Sequence, residues 1–326
     1  MNIPPSEFIR VPPEKLRAFV ADAFRRVDVS EEDAGVLADL LVCNDLRGVF
    51  SHGSRLVAYY TEALRKDLLN PRPKPQVVGD GPATLTVDGD GGLGYFPALI
   101  AARAISRKAQ DIGVAAAVTR SHGHIGAAGI YTRIPLAEGL FAYCTSGHQL
   151  SLRPDGGILA AAGASPMSFA VPAGEEPPLV LDFMPRLDYH PNSPNVDLAA
   201  HMSSSAPFRA LGLGAVCQTL GGLLTGIPAR RERAQRLWEG ATQGAFLIAV
   251  DLNRFIPLDE FRREMDDYVR QVHQMRPLPG YDRALLPGHL EWEREREWAV
   301  VGVPVGKEHQ EILQKVAREL GVEKPW

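Results

Sequence analysis

The sequence predicts an α/β fold with a helical N-terminal region. In the middle of the chain, strand-length apolar runs alternate with helix-length amphipathic runs, as at residues 83–88, 97–112 and 114–118. Such alternation is typical of α/β proteins. Before residue 70, apolar residues instead recur at helical spacing. With 326 residues, the chain has room for one large domain or two ordinary ones.

Three helices are predicted in the N-terminal region. The first follows Pro12 and covers residues 14–27, and the second begins after Ser30, whose hydroxyl suits an N-cap ahead of three acidic residues. The third covers residues 56–69 and ends at an Asn-Pro pair. The proline-rich residues 71–78 are predicted to be a connector.

The remaining elements follow in chain order. A charged helix is predicted over residues 291–298, with its side chains exposed to solvent. Residues 153–172 are predicted to form a loop. Residues 185–205 are predicted to form an exposed loop or short helix, with His190 and His201 at the surface. The apolar runs predict strands at 83–88, 114–118, 141–145, 179–182 and 246–250, and helices at 97–112, 131–138, 211–224, 258–275 and 308–320.

Composition narrows the class of protein. A hydrophobic content of 45%, a charged content of 23% and a net charge of −4 are ordinary, so a nucleic-acid partner is not expected. No apolar run approaches the roughly 20 residues of a membrane span, and residues 1–10 lack a signal peptide's apolar centre. The three cysteines are scattered. A cytoplasmic protein with reduced thiols is expected.

One polar stretch, DLRGVFSHGSRLVAYY at residues 45–60, is the first candidate site. It brings Arg47, Ser51, His52 and Arg55 together at the end of an apolar helix. Guanidinium groups suit a carboxylate, and an imidazole exchanges a proton near neutral pH. An anionic substrate is therefore one interpretation. The alternative is an N-capping serine followed by a surface histidine whose hydrogen bonds are satisfied.

A glycine-rich turn follows the strand at 83–88. Residues 89–94, GDGGLG, match GxGxxG between a predicted strand and a predicted helix, the context of a dinucleotide-binding turn. Two observations argue against that function. The next strand ends without an acidic residue for the ribose, and Asp88 and Asp90 would repel phosphate. A glycine turn that permits tight helix packing is the favoured interpretation.

A second polar cluster, SHGHIGAAG, occupies residues 121–129. Its small residues would let a ligand approach the backbone and the following helix N-terminus. His122 and His124 are spaced as possible metal ligands, but the segment contains no carboxylate and the chain has no HExxH. No metal is predicted.

These segments occur in the order found in one family. The chain resembles the malate/L-lactate dehydrogenase type 2 family over nearly its whole length. This family includes ureidoglycolate dehydrogenase, sulfolactate dehydrogenase and piperideine-2-carboxylate reductase. The resemblance rests on DLRGVFSHGSRLVAYY, HIGAAGIY, AEGLFAYCTSG, GASPMSFAVP, LVLDFM, PFRALGLGAV and LLPGH.

The resemblance implies a non-Rossmann α/β fold, a homodimer, and hydride transfer between NADH or NADPH and a 2-oxo acid or cyclic imino acid. It implies that His52 is the proton donor and acceptor, with Ser51 beside it, and that His124 is a second active-site histidine. Arg47 and Arg55 are the candidates for the substrate carboxylate. The cofactor-binding segments contain Ser146, Asp182, Phe183, Met184, Phe208, Arg209, Gly288 and His289.

The chain also departs from the family pattern. Leu56 stands where the family has an arginine, four residues after His52, and Arg209 stands where it has a lysine. Bulky residues follow Asp182, and the segment after them is shorter than in the family. A relative that has lost nicotinamide use and catalyses an isomerisation or elimination at His52 therefore stays an alternative. A non-catalytic ligand-binding or structural protein is a third hypothesis.

Two regions are predicted. Residues 1–115 would form a helical, substrate-binding region packed with residues 280–326, and residues 116–279 a central cofactor-binding domain.

Overall fold

A computed structural model of the chain describes residues 3–185 and 205–326. Its helices are α1 Pro13–Arg25, α2 Glu31–Leu46, α3 Val57–Arg65, α4 Tyr95–Ile112, α5 Gly129–Ala137, α6 Ser205–Gly221, α7 Leu258–His273, α8 His289–Val301 and α9 Lys307–Leu320. Its strands are β1 Phe8–Val11, β2 Gln76–Asp80, β3 Thr84–Asp88, β4 Val114–His122, β5 Phe141–His148, β6 Met167–Val171, β7 Leu179–Phe183, β8 Gln243–Val250 and β9 Val303–Gly306.

A seven-stranded mixed sheet organises the middle of the chain, in the order β2-β3-β4-β8-β5-β6-β7. Only β3 and β4 pair in parallel, joined through α4, and the other neighbours are antiparallel. Buried alanines on β4 and β8, such as Ala115 and Ala249, let α4 lie close to the sheet. The predicted α/β class is confirmed.

The two ends of the chain meet beside this sheet. β1 pairs with β9 in an antiparallel ribbon, Phe50 stacks on Trp298 at 5.8 Å between ring centroids, and Ser54 bonds to His309. Ser30 caps α2 as predicted, because its hydroxyl accepts the Asp33 N–H at 3.1 Å. β2 and β3 belong to the same sheet as β4, so the sheet crosses the predicted boundary at residue 115. The division into two regions stays a prediction.

Three sequence predictions need correction. Strand β6 lies inside the predicted loop 153–172, and β2 lies partly in the predicted connector. Helix α8 is not simply a solvated face, since Trp298 is 4% exposed and Glu295 pairs with Arg47. Charged residues alternate so closely along α8 that its buried side is hidden in the sequence. The prediction for residues 185–205, with His190 and His201, falls almost entirely outside the described residues.

The glycine turn at 89–94 is filled by protein. Three of its backbone N–H groups donate to carbonyls of the next strand and loop: Gly89 to Arg120, Gly91 to Ser121 and Gly94 to His124. A Cβ on Gly94 would lie 2.6 Å from the Gly123 carbonyl oxygen. The N–H groups that a pyrophosphate needs are therefore already used. The turn serves packing, as the sequence favoured.

No helix in the described ranges has the length and apolar character that crossing a bilayer requires.

We predict that Gly94→Ala destabilises the protein by about 1–3 kcal/mol, because the new methyl group overlaps a backbone carbonyl and the buried His122 ring. Gly35→Ala in α2 is the matched control. No atom lies within 4 Å of its added Cβ, so a gain of about 0.5–1 kcal/mol is expected. Urea unfolding of both variants measures the difference. Equal stabilities would contradict the packing role.

Candidate active site

A cavity of about 750 Å³ lies between the end of α2, the loop before α5, the strands β5 and β7, and the segment that leads into α8. It collects residues from both ends and the middle of the chain. The described residues that line it are Asn44, Val49, Ser51, His52, His124, Ala127, Arg133, Ser146, His148, Ala164, Pro166, Val180, Leu181, Asp182, Phe183, Met184, Gln243, Leu285, Leu286, Pro287, Gly288, Leu290 and Glu291.

Side chains at the end of α2 hold the turn that carries His52. Asn44 donates its side-chain amide to the His52 carbonyl at 2.9 Å, and the Ser54 N–H donates to the Asp45 carboxylate at 2.9 Å. A Cβ on Gly53 would lie 1.8 Å from Asp45 Oδ1, so only glycine permits this approach. Asn44 and Asp45 at the end of α2 thus hold the backbone of the turn, while the His52 side chain lines the cavity.

The His52 ring has one hydrogen-bond partner among the described side chains. Ser51 Oγ lies 2.9 Å from His52 Nδ1, and the other ring nitrogen is left for a ligand. Burial lowers the pKa of His52 below its usual value near 6.5. Most of the imidazole is therefore neutral at pH 7, ready to accept a proton.

His124 and His52 both line the cavity, and their ring centroids lie 5.6 Å apart. Tyr60 Oη lies 2.6 Å from His124 Nδ1 and 3.1 Å from Tyr95 Oη. Burial lowers the pKa of His124 to about 4, helped by the neighbouring His52 and His122. Burial also raises the pKa of Tyr60 well above its usual value, so the phenol keeps its proton. His124 is a neutral, oriented imidazole.

Tyr60 was not among the sequence candidates. The available signal was its position eight residues after His52, which places the two residues on separate turns of one helical region.

His122 does not join this pair. Its Nδ1 donates to the Gly123 carbonyl at 2.7 Å, so its Nε2 accepts from the Thr119 hydroxyl at 2.8 Å. Full burial lowers its pKa to about 4. Its ring is a packing element beneath the loop that carries His124. Within the described ranges, no group of three or more His, Cys, Asp or Glu side chains is arranged to hold a metal ion.

Asp182 and Arg133 line the same cavity as His52. Asp182 lies on β7. Its carboxylate accepts a hydrogen bond, 2.8 Å long, from the backbone N–H of Gly129, which is the first residue of α5. Burial raises the pKa of Asp182 to about 6, while that bond and Arg133 oppose the rise. Arg133 lies on α5 and donates to the Gly129 carbonyl at 3.1 Å. Sequence reasoning missed Arg133, because an arginine on a predicted amphipathic helix resembles an ordinary surface residue.

The two predicted carboxylate-binding arginines do not line the cavity. Arg47 makes a bidentate pair with Glu295 on α8, with both N···O distances at 3.0 Å. Arg55 pairs with Glu308 at 2.6 Å, beside the N-terminus of α9. Their guanidinium groups thus connect the N-terminal helices to the C-terminal segment. This placement argues against the substrate role expected from sequence proximity to His52.

The predicted cofactor residues divide into two groups. Ser146, Asp182, Phe183, Met184 and Gly288 line the cavity, whereas Phe208, Arg209 and His289 do not. Phe208 and Arg209 are exposed on α6.

The ring of His289 is buried instead in the protein. It lies 3.1 Å from Glu293 and packs edge-on against His273, with 4.7 Å between the ring centroids.

Comparison with known proteins identifies the family of this chain. A family model described as malate/L-lactate dehydrogenase matches residues 11–185 and 192–314. The malate dehydrogenase of Pyrococcus horikoshii is 25% identical over 97% of this chain and 97% of its own. Its solved structure superposes with a TM-score of 0.82, covering 99% of both chains.

Two further relatives span most of the chain. The L-sulfolactate dehydrogenase of Methanocaldococcus jannaschii is 26% identical over 95% of this chain and 97% of its own. The ureidoglycolate dehydrogenase (NAD(+)) of Escherichia coli O157:H7 is 25% identical over 91% of this chain and 93% of its own.

The fold and these matches define a dehydrogenase or reductase. The chain belongs to the malate/L-lactate dehydrogenase family. The family resemblance and the non-Rossmann α/β fold expected from the sequence are both confirmed.

Proposed function

We propose that this chain is an NADH- or NADPH-dependent oxidoreductase that interconverts a small 2-oxo acid and its 2-hydroxy acid, or reduces a cyclic imino acid. The observation that carries the proposal is the single cavity that His52 and His124 share with most of the predicted cofactor residues. The relative from Escherichia coli, whose name specifies NAD(+), supports the cofactor class.

The cavity suits a dinucleotide together with a small substrate. Its volume of about 750 Å³ falls in the range of roughly 300–1,000 Å³ that is usual for ligand sites. Apolar side chains such as Leu181 and Leu286 line it, and a few polar groups converge among them. Ser146, Asp182 and Gly288 would hold the cofactor. When bound, the nicotinamide supplies or accepts the hydride.

The protein then has to manage one proton. In reduction, the protonated form of His52 gives a proton to the substrate oxygen or nitrogen and becomes neutral, and in oxidation the neutral form removes that proton. The Ser51 hydroxyl at 2.9 Å from Nδ1 fixes the ring, so that Nε2 points to the substrate. His124, whose Nδ1 lies 2.6 Å from Tyr60 Oη, would form a second hydrogen bond to the same atom. A ketone oxygen and an imine nitrogen both need one proton as the hydride arrives, so His52 and His124 would serve either substrate.

A second candidate function keeps the proton chemistry without the nicotinamide. Phe183 and Met184 are bulky residues in the cavity wall, 38% and 43% exposed, where the family pattern has small ones. If they prevent nicotinamide binding, His52 would serve an isomerisation or elimination. Retention of Ser146 and Asp182 in the same wall favours the oxidoreductase.

We predict that His52→Gln lowers kcat for reduction by about 10²–10⁴-fold, because the amide cannot deliver a proton. Affinity for NADH or NADPH should change little, as fluorescence titration would show. The pH profile supplies a further check. Since burial lowers the pKa of His52, the neutral base persists below pH 6.5, so oxidation should lose rate only at more acidic pH. A variant with the wild-type kcat would refute this role.

We also propose a cytoplasmic homodimer. Helix α6 presents exposed apolar side chains, with Phe208 76%, Leu213 47% and Val216 53% exposed, and a partner subunit would cover such a face. Light scattering of the purified protein should give twice the chain mass of 35.5 kDa. A monomer at micromolar concentration would contradict the dimer.

A further inference from the structure

Arg133 is the only lysine or arginine among the described residues that line the cavity. The histidines of the lining, His52, His124 and His148, all have pKa values lowered by burial, so they carry little charge at pH 7. Burial lowers the pKa of Arg133 to about 10, with repulsion from Arg47 adding to the effect, and this leaves the guanidinium charged. An anion in the described part of the cavity meets one full positive charge.

The Arg133 guanidinium is enclosed by protein but has spare donors. Its Nη1 donates to the Gly129 carbonyl, and it forms no ion pair within 4.0 Å with any described residue. Its Nε and Nη2 atoms have no hydrogen-bond partner in the described part of the chain, yet neither is sealed from solvent. These N–H groups are therefore open to a ligand in the two spaces that Arg133 lines, the cavity of His52 and a second cavity of about 380 Å³.

Arg133 is half-buried, and removing a guanidinium from water even in part is costly when no close partner compensates its charge. Nearby carboxylates compensate only in part. Asp182, Glu295 and Glu291 attract Arg133 from a distance, but Asp182 is hydrogen-bonded to Gly129 and Glu295 to Arg47. The positive charge of Arg133 is thus retained at a place where an anionic ligand would be its nearest oppositely charged partner.

The position expected to bind the substrate carboxylate offers no cation. Leu56 stands there and packs against the hydrophobic core, and Arg55 beside it pairs with Glu308 outside the cavity. A substrate acid therefore needs another cationic partner.

Building on the proposed function, we propose that Arg133 binds the substrate carboxylate, and that the substrate carries one carboxylate next to its carbonyl or imine. A guanidinium matches a carboxylate with two parallel N–H···O bonds, which would also fix the substrate's orientation. A second carboxylate would find no further arginine or lysine in the described lining and would face Asp182 and Glu291. Monocarboxylates should thus be preferred over dicarboxylates.

The test compares a charged and a neutral probe of the same shape, oxamate and oxamide, on the protein saturated with NADH or NADPH. The wild type should bind oxamate about 10- to 100-fold more tightly than oxamide, as expected for a charged hydrogen-bonded pair. Arg133→Met should lose most of this ratio, and Arg133→Lys, which keeps charge without the planar fork, should be intermediate. Arg107→Met, at an exposed site on α4, is the matched control and should keep the full ratio.

Other results would contradict either the role of Arg133 or the proposed function. An Arg133→Met protein that keeps the ratio overturns the inference, and so does one that mainly loses NADH or NADPH affinity, because Arg133 would then serve the cofactor. A wild type that prefers oxaloacetate to pyruvate overturns the single-carboxylate class. A wild type that binds neither dinucleotide contradicts the proposed function instead, and the oxamate and oxamide comparison without dinucleotide then decides the role of Arg133 alone. If Arg133→Met does not fold, Arg133→Lys carries the comparison.

Discussion

The site depends on two hydrogen bonds from the last turn of α2 to the turn that carries His52. Asn44 and Asp45 hold the His52 carbonyl and the Ser54 N–H, both at 2.9 Å. Asp45 is fully buried, which raises the pKa of its carboxyl to about 7, and its Oδ1 lies against Gly53 without a hydrogen-bond partner in the described residues. Burying a carboxyl this way is costly, and the result is a histidine whose backbone cannot drift.

His124 reaches the cavity on the loop that follows strand β4 of the sheet. The glycine turn before α4 has backbone N–H groups bonded to protein carbonyls, and it holds the loop after β4 through the Gly94 N–H and the His124 carbonyl, 3.0 Å apart. Tyr60 from α3 then orients the His124 ring. Two imidazoles kept neutral by burial and one charged Arg133 therefore meet in one cavity. Under the proposed function, proton transfer and anion binding would fall to different side chains.

Local signals made much of this predictable. The hydroxyl of Ser30 ahead of three acids marked the start of α2, and the ordered motifs identified the family and placed His52 and His124 in one site. Strand β6 was missed because it follows directly on a glycine- and alanine-rich run, residues 156–165, that looks like a loop. Arg47 and Arg55 are close to His52 in sequence, but their partners Glu295 and Glu308 come from the other end of the chain. Arg133 could not be found because the groups that act on it, Asp182 on β7 and Glu291 and Glu295 on α8, lie far along the chain.

Titration of the purified protein with NADH and with NADPH, followed by nicotinamide fluorescence and thermal shift, tests the central claim most directly. The account predicts saturable binding of at least one dinucleotide in the micromolar range, with a rise in unfolding temperature that grows with its concentration. A folded protein that binds neither would contradict the account. His52 would then belong to a proton-transfer enzyme that works without nicotinamide.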